Sequence, residues 1–490
     1  MSVTKTLSEL GLTALGGREA SVTGLAVDSR AVRPGDLFAA LPGVRLHGAE
    51  HAAAAVERGA AAVLTDPAGA ALAGDLGDAA LVLAQDPRAA LAYAAALWSG
   101  AQPETMAAVT GTNGKTSVAT FLRQIWERLD LDAVNIGTTG VEGAFAAPLR
   151  HTTPEPITLH RLLAEMAGEG VTHAVMEASS HGLAQRRLDG VRLRAAGFTN
   201  ISRDHLDYHA SFEDYFAAKA GLFERVLPEE GAAVIDIDGE WGLRMAAVAR
   251  ERGQDVLTVG SEVGADLRVL GQRFDDAGQD LRFEWQGAPQ VTRLALVGGF
   301  QARNALLAAG LAMGCGAEAE EVFRALPRLE TVRGRMQRVA ARGNGAAVYV
   351  DYSHTPAAVE TALAALRPHV LGRLVVVLGA GGDRDREKRP MMGRAAAEGA
   401  EIVFVTDDNP RSEDPGAIRA AVMEGAPDAT EVADRAEAIL RAVDALGPGD
   451  ALLVAGKGHE TGQEVAGVLH PFDDAEQASI AVAALDGLRA

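Results

Sequence analysis

The sequence is short of cysteine, of lysine and of net positive charge. Its single cysteine, Cys315, excludes an intrachain disulfide and fits a reducing compartment. A formal net charge of −20 argues against a nucleic-acid or anionic-membrane partner, because a polyanion would be repelled. Any phosphate the protein holds must therefore sit in a local site. No apolar run approaches the ~18 residues of a membrane span. The opening segment, Met1 to Glu9, lacks the apolar core of a secretory signal. There is no low-complexity tract and no repeat of fixed period. Hydrophobic residues make up 48%, which is ordinary material for full cores, and the length suggests two to four domains. A soluble cytoplasmic enzyme is the expectation.

Of 46 basic residues only five are lysine: Lys5, Lys115, Lys219, Lys388 and Lys457. Arg is a fixed planar fork, whereas the Lys amine is a compact charge that can shift its pKa or be modified. Composition bias explains the scarcity but not the placement, since four of the five fall in segments that look chemical on other grounds.

The clearest of these segments is Thr110-Gly111-Thr112-Asn113-Gly114-Lys115-Thr116-Ser117. An apolar strand, Met106 to Val109, precedes it, and a helical stretch from Val118 to Leu122 follows. Strand, glycine-rich turn, Lys-Thr and helix is how a protein holds a nucleotide triphosphate. The glycines let backbone N–H groups close on phosphate oxygens, and the helix N-terminus adds partial positive charge. Lys115 would reach the β- and γ-phosphates, and Thr116 would ligate Mg²⁺. The match is to the Gly-Lys-Thr end only, since Thr110 stands where the usual pattern has its first glycine.

Apolar β-type runs alternate with Ala-rich helical stretches throughout, which predicts an α/β chain with mainly parallel sheets. Expected strands include Ala61 to Leu64, Leu81 to Leu83, His173 to Met176, Ala195 to Phe198 and Ala233 to Ile237. Gly100 to Glu104 reads as a linker and Pro327 to Arg335 as a second boundary, giving domains 1–102, 103–330 and 331–490. In the last, three strands each run into a charged, glycine-rich loop: Val375 to Leu378 into Gly379 to Arg384, Ile402 to Val405 into Asp407 to Arg411, and Leu452 to Val454 into Gly456 to Glu460. Ligands bind beyond the C-terminal ends of strands in such sheets, so a second pocket is expected there. Glu177 and His205 also follow strands; a carboxylate and an imidazole there suit a metal ion bridging phosphate oxygens. Arg411, one residue after Pro410, is a fork suited to a carboxylate; a surface Arg paired with Glu413 or Asp414 is the bland alternative, and spacing does not choose.

Together these motifs resemble the Mur ligase family over essentially the whole chain. Within the family the likeness is to the branch that adds the third residue to UDP-N-acetylmuramoyl-L-alanyl-D-glutamate. The resemblance implies a UDP-binding α/β domain, a central ATP-binding domain with a mainly parallel sheet, and a Rossmann-like domain for the incoming amino acid. Thr110 to Ser117, Asn304, Arg335 and Asp351 correspond to its ATP contacts. Ser29, His47, Thr152, Thr153, Ser179, Gln185 and Arg187 correspond to its muramoyl-dipeptide site. Lys219 stands where the family carries a lysine carbamylated by CO₂, which would join Thr116, Glu177 and His205 around Mg²⁺. Lys115, Glu177, His205 and Lys219 are thus the implied catalytic set. Gln301 in place of Asn, and Ser353 in place of Ala, depart from the pattern.

Arg389, Asp408, Asn409, Arg411, Gly456 and Glu460 correspond to the amino-acid site in its meso-diaminopimelate form, with L-lysine and L-ornithine as alternatives. The implied chemistry is phosphoryl transfer from ATP to the D-Glu γ-carboxylate, then attack by the amine, with domain closure between. A monomer acting on small molecules alone is expected. A folylpolyglutamate synthase, a non-catalytic ATP-binding protein and a small-molecule kinase are the rival readings.

Overall fold

The computed structural model describes residues 3–43, 46–202, 209 and 211–487. Two compact units form, Met1–Ala265 with Leu307–Val322, and Asp266–Leu306 with Phe323–Ala490.

The first unit holds two parallel sheets. The smaller runs Gly24–Ala26, Asp36–Ala39, Ala62–Thr65, Ala80–Leu83. The larger runs Gly140–Gly143, Ala133–Gly137, His173–Glu177, Thr105–Thr110, Leu193–Phe198, Ala232–Asp236, Asp255–Gly260, with only the Gly140–Gly143 edge antiparallel. Thr105–Thr110 is central in that order. Its apolar residues are buried with no alternation, as an inner parallel strand requires. The helix Lys115–Arg128 then buries Val118, Phe121, Leu122 and Ile125, the i, i+3, i+4, i+7 stripe of a helix lying on a sheet. Each such apolar side chain contributes about 1.5–3 kcal/mol by leaving water.

The second unit has a six-stranded sheet in the order Gln337–Ala341, Ala347–Asp351, Ala451–Ala455, Leu374–Leu378, Ile402–Val405, Thr430–Glu431, parallel except at its first pair. Helices start cleanly beside it because Thr355, Asp414 and Asp434 each cap one, accepting from Ala358, Ala417 and Glu437 N–H at 3.3, 2.8 and 2.8 Å.

Every expected strand is present, within a residue or two at each end. Three antiparallel strands, Leu267–Asp275, Gly278–Trp285 and Ala288–Leu294, lie outside the parallel expectation. Their hairpins close on Gly278 and on Gln286-Gly287, the latter pair both at positive φ as a tight hairpin demands. They belong to the second unit. Tyr349 donates its hydroxyl to Asp276 O at 3.1 Å, and His369 bridges Asp275 O (2.7 Å) and the Gly298 N–H (3.0 Å). Accepting from Gly298 at Nε2 places the His369 proton on Nδ1, and burial lowers its pKa.

Candidate functional site

The phosphate loop is built from backbone. Gly111 has φ +146° and Gly114 φ +88°, conformations that L side chains rarely adopt. A Cβ on Gly111 would also strike Thr199 and the Asn200 backbone. Asn200 braces the loop, accepting from the Thr112 N–H (2.8 Å) and, through Oδ1, from the Asn113 N–H (3.1 Å). Thr110 donates to Ala178 O at 2.7 Å, tying the loop's strand to the segment after Glu177. Thr116 and Ser117 are buried in the first turn of the helix.

Two lysines converge here. Lys115 Nζ donates to Gly111 O and Thr112 O, both at 2.9 Å, and Lys219 Nζ donates to the same Gly111 O at 2.8 Å. Lys219 is 1% exposed, and its ammonium lies 4.5 Å from the Tyr215 ring centroid. Tyr215 in turn contacts Thr112 through its hydroxyl (3.1 Å) and His209 through its ring (5.2 Å between centroids). Two lysine amines thus meet at one backbone carbonyl, a position suited to an anion.

Glu177 ends its strand and is 1% exposed. Its Oε1 accepts from the Thr138 N–H (2.9 Å) and its Oε2 from the Thr138 hydroxyl (3.2 Å). Gly137 leaves the room this carboxylate fills, since a Cβ there would overlap it. A carboxylate has about four lone-pair sites, so capacity for a metal remains. Thr138 and Asn200 are absent from the sequence expectations. The only signal in the chain is the Gly137-Thr138-Thr139-Gly140 turn that ends a strand. His205 lies outside the described residues.

Thr138 carries the network onward to Thr152 (3.1 Å between hydroxyls). Thr153 donates to Glu177 O at 2.8 Å and pairs with Ser179, which caps Ser180–Ala184. Arg187 donates to Thr153 O (2.6 Å) and Gln185 Oε1 (2.8 Å). So Thr152, Thr153, Ser179, Gln185, Arg187 and Glu177 form one connected patch. Gln185 and Arg187 line a cavity of about 130 Å³ with Val27, Leu41, Arg88 and Glu155. A larger cleft of about 550 Å³ adjoins, sharing Val27 and Glu155 and lined also by Asp28 and Ala31. Ser29 lies between these two residues in a short turn. His47 does not line either cavity; its Nδ1 accepts from the Ala49 N–H (3.1 Å) and its Nε2 faces Asp66 (3.2 Å).

In the second unit Asn304 donates to Gln301 Oε1 at 2.9 Å, both side chains buried, so the Gln departure keeps an amide pair. Arg335 stacks over the Tyr352 ring at 4.8 Å. Asp351 accepts from the Met336 N–H (2.7 Å) and from Ser353 Oγ, which gives the Ser departure a role. Burial pushes the Asp351 carboxyl up, against the pull of Ser353 and Arg335.

The strand-end loops gather the amino-acid set. Asn409, at φ +43°, donates from Nδ2 to Glu460 Oε2 at 2.8 Å. Asp408 faces the Lys457 ammonium at 3.3 Å, and Gly456 is a glycine because a Cβ would meet that carboxylate. Arg411, at φ +52°, donates through Nη1 to Gly382 O (2.8 Å) and lies 3.3 Å from Glu464. Glu413 instead takes Arg389 (2.8 Å) and Arg386 (3.1 Å), so the bland pairing for Arg411 is not the one formed. Arg389 is 3% exposed, and its hydrogen bonds to Glu413 hold that carboxyl down at about 2.

Parallel sheets, a phosphate loop built from backbone and a charged cluster at strand ends define an α/β enzyme of the phosphate-handling class. Residues 21–122 match the Mur ligase family catalytic domain, 109–312 the Mur ligase middle domain and 334–458 the Mur ligase glutamate ligase domain. A UDP-N-acetylmuramoyl-L-alanyl-D-glutamate–2,6-diaminopimelate ligase from Bradyrhizobium diazoefficiens is 51% identical, covering 94% of this chain and 95% of that protein. The ligase of the same name from Caulobacter vibrioides is 49% identical, covering 95% and 96%. A solved structure of a ligase of that name matches with a TM-score of 0.74 at 33% identity, covering 99% of both chains. The chain belongs to the Mur ligase family, with its three-domain α/β fold.

Proposed function

We propose that the protein joins meso-diaminopimelate to the D-Glu γ-carboxylate of UDP-N-acetylmuramoyl-L-alanyl-D-glutamate, with ATP consumed to ADP and phosphate. The observation that supports the amino acid is Arg411 beside the Asn409–Glu460 pair at one sheet edge. A cationic fork and a carboxylate in one loop cluster match a distal centre bearing both carboxylate and ammonium. Lysine and ornithine offer only the ammonium and would leave Arg411 facing a cation, a mismatch of several kcal/mol in order of magnitude.

The chemistry follows in two steps. The γ-phosphoryl group passes to the γ-carboxylate, forming an acyl phosphate and ADP. The amine then attacks the acyl carbon, the C–N bond forms, and phosphate leaves with the C–O electron pair. Lys115 neutralises charge on the phosphates, and the loop N–H groups position them. Arg187 and Gln185 hold the anionic dipeptide, and Ser29 and His47 support the uridine end. Thr116 and Glu177, hard oxygen donors, fit Mg²⁺, with His205 joining them. That ion supplies charge neutralisation at the phosphoryl oxygens. Asn304, Arg335 and Asp351 serve the nucleotide, and the domains are bounded near residues 102 and 330. The protein acts as a cytoplasmic monomer on small molecules; no helix among the described residues is long and apolar enough to cross a membrane.

Lys219 works as a carbamate in this reading. The neutral amine of Lys219 adds to CO₂ with release of H⁺, giving –NH–COO⁻. The retained N–H can still donate to Gly111 O, while the carboxylate brings an anion to a cationic site. A ¹³C carbamate resonance after incubation with ¹³C-bicarbonate, absent in Lys219→Ala, checks this without turnover.

The test of the whole reading is phosphate release with ATP, Mg²⁺ and the UDP-dipeptide, with meso-diaminopimelate, L-lysine and L-ornithine in separate wells. Release only with diaminopimelate is expected. Release with lysine or ornithine keeps the ligase and overturns the role given to Arg411.

A further inference from the structure

Lys457 is among the largest fully buried side chains of the protein, yet it carries a charge. Its Nζ donates to Gly462 O at 2.8 Å and to Asn409 Oδ1 at 3.0 Å, and lies 3.3 Å from Asp408 Oδ1. An ammonium has three hydrogens and no acceptor. Two of them go to protein oxygens, and the charge itself faces the Asp408 carboxylate.

The partners show what this arrangement does. Asn409 Oδ1 accepts from Lys457 and also from the Glu464 N–H at 2.9 Å, filling both its lone-pair directions. The amide therefore cannot flip, and its NH₂ must face Glu460, where it donates at 2.8 Å. Gly462 opens the hairpin strand Gly462–Val465, which the loop grips again through the Arg411 N–H on Glu464 O (3.0 Å) and the Ala466 N–H on Arg411 O (2.7 Å). Lys457 thus joins the Asp408–Arg411 loop, the Gly456–Glu460 loop and the hairpin at one point. Its charge also offsets two carboxylates, Asp408 at 3.3 Å and Glu460 at 3.9 Å.

We propose that Lys457 is a positioning and selectivity residue of the amino-acid site, orienting Asn409 and Glu460 and balancing their negative charge so that a substrate end carrying both carboxylate and ammonium is preferred over one carrying ammonium alone. This rests on the reading of that edge as the amino-acid site.

Lys457→Met removes donors and charge at similar length; Lys457→Gln restores a donor without the charge. In Lys457→Met the KM for diaminopimelate rises about tenfold or more, the size of one lost charged hydrogen bond, while KM for ATP and for the UDP-dipeptide stays within about twofold. The ratio of kcat/KM for diaminopimelate over L-lysine falls about tenfold, because the unbalanced carboxylates attract the simple cation. Lys457→Gln recovers part of the KM and none of the ratio. A purely structural lysine would move all three KM values together and leave the ratio alone, and that result overturns the proposal. So does an unchanged diaminopimelate KM. If Lys457→Met does not fold, Lys457→Gln carries the test; if neither folds, Lys457 is a core residue and the proposal fails. Should the wild type ignore diaminopimelate, the substrate reading is what has failed, and the same KM split is then read on the amino acid it accepts.

Discussion

The phosphate loop and the charged strand-end edge of the second unit both hold charge, by opposite means. Residues 110–117 are shaped by backbone: two glycines at positive φ, N–H groups braced by Asn200, and two lysines on one carbonyl. The edge of the second unit is a mesh of side-chain pairs: Arg389 with Glu413, Lys457 with Asp408, Asn409 with Glu460, and the buried Arg435 with Asp474 at 2.6 Å. A backbone cradle depends on a few residues absolutely and is indifferent to the rest. A mesh spreads its dependence, because removing one member leaves another buried without its partner. Shape-blind anion binding suits the first, and recognition of a particular amino acid suits the second.

The largest effect should therefore fall on the cradle. Lys115→Ala is expected to lower kcat about 10³-fold, the scale of losing one preorganised charge-stabilising donor, while the melting temperature barely moves. Measured release near wild-type level would break the comparison at once. Next comes Arg411→Ala, expected to cut kcat/KM for diaminopimelate about 10²-fold or more, as a charged donor facing a carboxylate should. Arg411→Lys should rescue little, since a point charge does not replace the fork. Its KM for ATP is the control; a parallel rise there would place Arg411 outside the amino-acid site.

Thr138→Val sharpens the comparison from the other side. It deletes the hydroxyl that holds Glu177 Oε2 and touches Thr152, but leaves the N–H on Oε1. An activity loss of about tenfold is expected, the lower end of the about 1.5–3 kcal/mol that one hydrogen bond to a charged group contributes. The loss should shrink when Mg²⁺ is raised, if the hydroxyl works by aiming the carboxylate at the metal. A loss that ignores Mg²⁺ would assign Thr138 to the dipeptide patch alone.

How much of this was legible in the sequence follows the same division. The cradle is contiguous, so Thr110 to Ser117 could be read directly, and Glu177 could be read from its strand. Thr138 and Asn200 could not, because only the sheet order sets their strands' ends beside Glu177 and Gly111. The edge was legible as three charged loops but not as pairs. Nothing in the spacing says that Glu413 belongs to Arg389 or that Glu464 comes back to Arg411 from a hairpin. Lys457 was visible as a rare lysine in the third of those loops, but not as the partner of Asp408 and Asn409. The antiparallel strands from Leu267 to Leu294 escaped because their partners are consecutive hairpins rather than crossovers, a pattern the alternation of strands and helices hides.

The smallest expected effect tests whether the mesh also bears stability. Glu413 titrates at about 2 in the folded chain against its usual 4.5, mainly because Arg389 donates to it. The unfolded chain therefore binds a proton below pH 4.5 that the folded chain refuses. The stability given by the pair is complete above that pH and drains away as pH falls toward 2. Glu413→Gln has no such group. Its melting temperature should start lower at neutral pH, with Arg389 left buried and unpaired, and should fall less steeply than the wild type between pH 5 and 2.5 in thermal scans. Parallel curves would mean that the Arg389–Glu413 pair sets geometry at the edge without adding to the stability of the fold, and the mesh would then serve recognition alone.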